Sequence, residues 1–177
     1  MRKTRFLLAA LVALAAQTAL AQDYARPGMY AQGNFVIGIE SFDDVPSSFV
    51  DTAYGVSGRI GYRMDPRFAI ESQFEYSGDF SDISGLDLTG KLVTINGKFY
   101  FLQEQLQPYA LAGIGGAWAD FDPGPDEDAF VVKVGGGLDF YLSENWGLNG
   151  EIVYNIGTGD LDGFSYTGIG LGAFLRF

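Results

Sequence analysis

From residue 28 onward, apolar and polar positions alternate with a period of two. The alternating runs are rich in Tyr, Phe, Val, Ile and Gly, and short stretches of Asp, Ser, Gly and Pro break them up. That texture predicts β-strands with one dry face, separated by turns and loops. Eight strands are expected, over 28–40, 52–64, 67–77, 91–102, 108–119, 129–142, 146–157 and 164–177. The third shows the pattern plainly. Phe68, Ile70, Phe74 and Tyr76 fall on one side, and Ala69, Glu71, Gln73 and Glu75 on the other. The fifth resists assignment, because Tyr109 to Trp118 is apolar on both faces.

The connections alternate in kind. The second, fourth and sixth are tight: Asp65-Pro66, Gln103–Gln107 and Ser143-Glu144-Asn145. The first, third, fifth and seventh are longer or acidic: Ser41–Asp51, Gly78–Gly90, Asp120–Asp128 and Thr158–Gly163. Short turns at one end and longer loops at the other fit an all-β, eight-stranded antiparallel up-and-down transmembrane β-barrel. A soluble barrel with an apolar interior would carry a dense, mixed-charge exterior. Here the polar face is sparse and padded with Gly, Ser, Asn and Gln. The apolar face instead carries Tyr54, Tyr62, Phe68, Tyr76, Phe101, Phe140, Trp146 and Phe177 near strand ends, as an interfacial girdle would. Lipid is therefore expected outside.

Residues 1–21 read as a signal peptide. Arg2, Lys3 and Arg5 precede the apolar run Phe6–Ala16, and Ala19-Leu20-Ala21 is an A-x-A site, so cleavage is expected between Ala21 and Gln22. The run is too short for a membrane-spanning helix. The expected domains are thus 1–21, the leader, and 22–177, the barrel. The leader holds three of the eleven basic residues and no acidic one, which leaves eight against 22, a net of −14. That balance argues against nucleic acid as a partner. The apolar content of 47%, with 15% aromatic, excludes a disordered chain. There is no Cys, so no disulfide or thiolate chemistry, and no His.

An eight-stranded barrel is filled by its own side chains. Strand parity sends Arg59, Arg63, Glu71, Glu75, Lys98, Lys133, Asp139, Glu151 and Arg176 inward. Opposite charges in a narrow lumen are expected to pair, since an unpaired buried charge costs several kcal/mol, and the expected filling is a stack of ion pairs and Asn/Gln hydrogen bonds. A structural plug is one reading of such a network. A gate for water or small ions is the other. Glycines at Gly113, Gly115 and Gly135-Gly136-Gly137 allow either strong curvature or close packing of an interior side chain.

Thirteen of the 22 acidic residues fall in the four outer loops: Asp43, Asp44, Asp51, Asp79, Asp82, Asp87, Asp120, Asp122, Asp126, Glu127, Asp128, Asp160 and Asp162. A solvated anionic rim is the plain reading. Carboxylates also suit Ca²⁺ or Mg²⁺, with Asp122, Asp126, Glu127 and Asp128 as the weak metal candidate, although they lack EF-hand spacing. Surface recognition through Phe42, Phe49, Phe80, Leu86 and Phe121 is a third possibility.

The last strand, Thr167 to Phe177, ends in an aromatic residue preceded on the same face by Ile169, Leu171, Ala173 and Leu175. This row looks like the signal by which outer-membrane barrel precursors are recognised for assembly. With Gly58-Arg59-Ile60-Gly61-Tyr62 and Pro108-Tyr109-Ala110-Leu111-Ala112-Gly113-Ile114-Gly115, the chain resembles the small outer-membrane β-barrel family of OmpA-like and OmpX-like eight-stranded proteins. That resemblance implies a monomer in the outer membrane, with both termini periplasmic and the acidic loops extracellular. It implies outer-membrane lipid, lipopolysaccharide, the barrel-assembly machinery and periplasmic chaperones as partners, and no cofactor. No peptidoglycan-binding domain is expected after Phe177. Barrel enzymes of the outer membrane resemble one another in using a histidine, so no catalytic residue is expected here. A structural or surface-exposed envelope protein is expected. The alternative is a narrow, porin-like channel for ions or very small solutes.

Overall fold

The computed structural model describes residues 23–41, 52–78, 87–122, 127–159 and 165–177. Within them the chain forms eight strands: β1 (Gly28–Ser41), β2 (Thr52–Arg63), β3 (Phe68–Gly78), β4 (Asp87–Tyr100), β5 (Leu106–Asp122), β6 (Glu127–Tyr141), β7 (Trp146–Gly159) and β8 (Ser165–Arg176). Each pairs antiparallel with its sequence neighbours, and β8 returns to pair with β1, so the sheet closes on itself in the order β1 to β8. Closure matters in lipid, because no strand edge is left with unpaired backbone groups.

The two faces follow from the alternation. Along β2 and β3 burial switches at every residue. The outward face has aliphatic residues at mid-height, among them Ile60, Ile95, Ile114, Ile152 and Leu171. Aromatics flank them towards both ends: Tyr54, Tyr76 and Trp118 at one, Tyr62, Phe68, Phe101, Phe140, Trp146 and Phe177 at the other. Some of these rings touch, as in Phe35–Tyr54 and Phe68–Phe99. An apolar band between two aromatic girdles is the surface of a membrane barrel.

The tight turns are held by their own side chains. Asp65 Oδ1 accepts from the backbone N–H of Arg67 (2.7 Å) and of Phe68 (2.9 Å). Ser143 Oγ accepts from Asn145 and Trp146, each at 3.3 Å. Both are the local bonds for which Asp and Ser are favoured in turns. At the other end the strands run further than the sequence pattern suggested. Asp87 stands on β4, Asp120 and Asp122 on β5, and Glu127 and Asp128 on β6, so these five acids continue the ladder and are not loop residues. Ladder pairing of Asp87 with Asp122, and of Trp118 with Asp128, carries the sheet past the apolar zone, which side-chain chemistry alone could not reveal. The leader and its Ala21–Gln22 site lie outside the described residues, as do Asp43, Asp44, Asp51, Asp79, Asp82, Asp126, Asp160, Asp162, Phe42, Phe49, Phe80 and Leu86.

Candidate functional site

The lumen is the candidate site, and it is filled in three storeys. The lowest lies at the short-turn end, near both ends of the sheet. Arg63 on β2 donates to Gln107 Oε1 (2.6 Å) and to the carbonyl of Pro66, and its guanidinium lies 4.1 Å from the Tyr100 ring centroid. Arg176 on β8 donates to the Tyr141 hydroxyl (3.2 Å) and to the carbonyls of Tyr24 and Arg26, each at 2.5 Å. The Tyr24 carbonyl also accepts from Gln107 Nε2 at 3.2 Å. The Tyr24 ring leans on Tyr141 at 5.3 Å, and Tyr141 on Phe174 at 4.8 Å. The segment before β1 is thereby drawn under the barrel as a cap.

The middle storey is a four-charge network from four strands. Arg59 on β2 grips Glu151 on β7 through two parallel hydrogen bonds, one of them 2.7 Å. The same guanidinium reaches Glu71 Oε1 on β3 at 3.1 Å. Lys98 on β4 lies 3.0 Å from Glu71 Oε2. The tyrosines complete it: Tyr30 donates to Glu71 and Tyr109 to Glu151, both at 2.7 Å. Lys98 Nζ also sits 4.4 Å above the Tyr109 ring. Each carboxylate thus meets a cation and a hydroxyl, which is how buried charge is tolerated in a low-dielectric interior.

The upper storey lies towards the loop end. Lys133 on β6 donates to Gln73 Oε1 at 3.0 Å and stands 3.9 Å from Glu75 on β3. Glu75 accepts from Gln73 and from the Tyr166 hydroxyl, each at 2.9 Å. Lys98 and Lys133 are both 0% exposed.

Glycines make these side chains fit. A Cβ on Gly61 would collide with the Tyr30 ring, and one on Gly137 would meet the Tyr109 ring. In both cases the ring and the glycine are direct ladder partners on adjacent strands. Phe174 covers Gly147, its partner, in the same way, and Asn34 covers Gly172. Close cross-strand packing therefore accounts for these glycines, as it does for Gly113 beneath Asn96 and Gly135 beside Val153.

A sequence model described as outer membrane protein beta-barrel domain matches residues 6–177. The chain belongs to this outer-membrane β-barrel family. No curated protein sequence matches it. Among solved structures, Neisserial surface protein A is similar with a TM-score of 0.73 at 16% identity, over 85% of this chain and 97% of that one. Ail, the attachment invasion locus protein of Yersinia pestis, gives 0.64 at 19%, over 86% and 100%. The N-terminal β-barrel domain of Pseudomonas aeruginosa OprF gives 0.55 at 18%, over 86% and 100%. At such identities the likeness is one of fold. The protein is an integral outer-membrane β-barrel protein, and its outward face meets outer-membrane lipid.

Within this outer-membrane barrel, not every inward charge has an opposite charge beside it. Arg59, Glu71, Glu151, Lys98, Glu75 and Lys133 form ion pairs. Arg63, Arg176 and Asp139 make none among the described residues. Asp139 accepts from Asn149 Nδ2 (2.6 Å) and the Tyr100 hydroxyl (3.0 Å). Neutral donors, backbone carbonyls and aromatic faces serve these three charges beside the ion pairs. The sequence reading missed the inward tyrosines Tyr30, Tyr100, Tyr109, Tyr141 and Tyr166. They share the parity of the inward polar residues on their strands, but their apolar bodies resemble girdle residues.

The last-strand row Leu171, Ala173, Leu175 and Phe177 is exposed on the lipid face, with Ile169 half-buried on the same side. Of the metal candidates, Asp122 ends β5, Glu127 begins β6, Asp128 follows it exposed, and Asp126 lies outside the described residues. Among the described residues no three acidic groups gather to hold a metal ion.

Proposed function

We propose that this outer-membrane barrel is a sealed, monomeric envelope protein that acts as a scaffold for surface loops, with neither transport nor catalysis in its lumen. The observation that carries this reading is the continuous fill of the lumen. The Arg63–Arg176 cap, the Arg59–Glu71–Lys98–Glu151 network and the Lys133–Glu75 storey follow one another along the axis, all buried. Diffusion pores need about twice as many strands to leave an aqueous channel.

The finer parts of the reading go with it. Residues 1–21 are removed as a signal peptide between Ala21 and Gln22. The short-turn end faces the periplasm and the acidic loops face outwards, next to lipopolysaccharide. The row Ile169, Leu171, Ala173, Leu175 and Phe177 serves as the assembly signal read by the barrel-assembly machinery, after escort by periplasmic chaperones. Of the similar barrels, the Neisserial one is named a surface protein and the Yersinia one an attachment invasion locus protein, which favours an outward-facing role.

Liposome swelling tests the sealed lumen against the channel alternative. Proteoliposomes holding the purified barrel are expected to stay unswollen in a small sugar. Swelling at the rate of a porin control would replace the scaffold reading with the channel.

A further inference from the structure

Positive charge on the lipid face is confined to one position. From residue 22 onward the chain has eight basic residues. Five of them, Arg59, Arg63, Lys98, Lys133 and Arg176, are buried in the lumen. Arg26 precedes β1 and Arg67 precedes β3, both at the short-turn end. The eighth is Lys91 on β4. Its neighbours fix its direction. Leu92 and Thr94 are buried inside, while Val93 and Ile95 are exposed to lipid, so Lys91 stands half-buried on the lipid face.

On that face Lys91 belongs to the girdle at the loop end. Its direct ladder partners are Tyr76 on β3 and Trp118 on β5, 44% and 46% exposed. The Trp118 indole lies over Gly116, where a Cβ would stand 3.3 Å from the ring. Gly116 is the ladder partner of Val93, so the indole is turned towards mid-height and walls one side of the apolar surface beneath Lys91. The surrounding charge is negative. Thirteen acidic residues belong to the loop end by sequence, and Lys91 is the one basic residue near them. Asp87 lies four residues up β4, and Asp128 is paired with Trp118 on its far side.

We infer that Lys91 seats one phosphate-bearing lipid, with the phosphate at the ammonium between Tyr76 and Trp118 and an acyl chain on Phe74, Val93 and Ile95. A lysine at the interface lays its stem on apolar surface and presents its charge to the headgroups. Free phosphate is not selected, because the acids of the rim repel it and it has no chain to offset that. Lys91 also interacts within the protein, and the three N–H donors of an ammonium accommodate a further partner. The inference rests on the outward orientation of the loop end for the identity of the lipid, which is then lipopolysaccharide.

The test is native mass spectrometry of the purified full barrel in detergent. It is titrated with the phosphorylated lipid anchor of lipopolysaccharide and with the same lipid stripped of phosphate. Wild type is expected to retain one phosphorylated lipid in preference to the stripped one. Lys91→Gln is expected to weaken that retention about fivefold, while Lys91→Arg and Arg67→Gln keep it. Equal retention of the two lipids by wild type, which needs no variant, would overturn the inference. So would unchanged retention in Lys91→Gln, which would leave Lys91 to the protein's own carboxylates, or displacement of the lipid by inorganic phosphate. Orientation is read separately, by labelling Asp128→Cys on intact cells with a membrane-impermeant maleimide, since the chain has no other cysteine. Absence of label would contradict the outward-facing loops and leave the lipid-binding result standing.

Discussion

Arg59 and Glu151 face each other across the lumen, from β2 and β7, and are joined by two parallel hydrogen bonds. The two strands are not neighbours in the sheet. The pair therefore ties two non-adjacent walls together across the lumen. Removing one partner leaves a buried charge without its counterpart, a loss of about 3–5 kcal/mol. Glu151→Ala and Arg59→Ala are each expected to lower the urea midpoint of the folded barrel by an amount of that order. The double variant Arg59→Met with Glu151→Leu is expected to recover most of it, because neither member of the pair is then left without the other, while Glu71 keeps Lys98.

A second prediction concerns Gly61. A Cβ there meets the Tyr30 ring first, and its three nearest atoms all belong to that side chain. Gly61→Ala is expected to cost about 1–3 kcal/mol, as overpacking does. The cost should shrink in a Tyr30→Ala background. Gly33 supplies the contrast, for it faces lipid with nothing within 4 Å. Gly33→Ala is expected to stay within about 0.5 kcal/mol of wild type. Unfolding titrations in detergent check all four proteins.

Strand β5 gives a third. Its outward residues include Ile114, and its inward ones Tyr109 and Leu111. Ile114 sits at mid-height in the lipid band, where an arginine costs about 2–4 kcal/mol. Ile114→Arg is expected to show that loss in a bilayer and a smaller one in detergent. Equal losses in both would place Ile114 inside.

The same strand shows where the sequence stops being legible. Period-two alternation was sufficient for β2, β3 and β7, because Arg59, Glu71 and Glu151 mark the inner face against Ile60, Ile70 and Ile152. On β5 the inner face is Gly113, Gly115 and Ala117, which carry no polarity to read. They are small because Asn96 and Thr94 on β4 lie over the two glycines. Facing residues are revealed only by the register of two strands, and one strand's pattern does not contain it. The tyrosines of the lumen were hidden for a related reason, since one residue type serves both girdle and core. The cap was hidden as well. Nothing in Asp23-Tyr24-Ala25-Arg26 alternates, and its order comes from Arg63 and Arg176, far away in the chain.

That cap yields a fourth prediction. Tyr24 packs on Tyr141 and its carbonyl receives Arg176. Tyr24→Ala keeps the carbonyl and loses the ring. It is expected to cost about 1–3 kcal/mol by loss of buried aromatic surface, read from the shift in urea midpoint. It is not expected to open the lumen, because the network around Arg59 remains.

Whether the barrel is sealed is read most directly by single-channel recording of the purified full protein in a planar bilayer. With the three storeys intact, wild type is expected to be electrically silent at every voltage the bilayer survives. A steady or stepwise conductance that tracks the amount of barrel, and that changes in Lys98→Ala, would contradict the sealed lumen and assign the charge network a gating role.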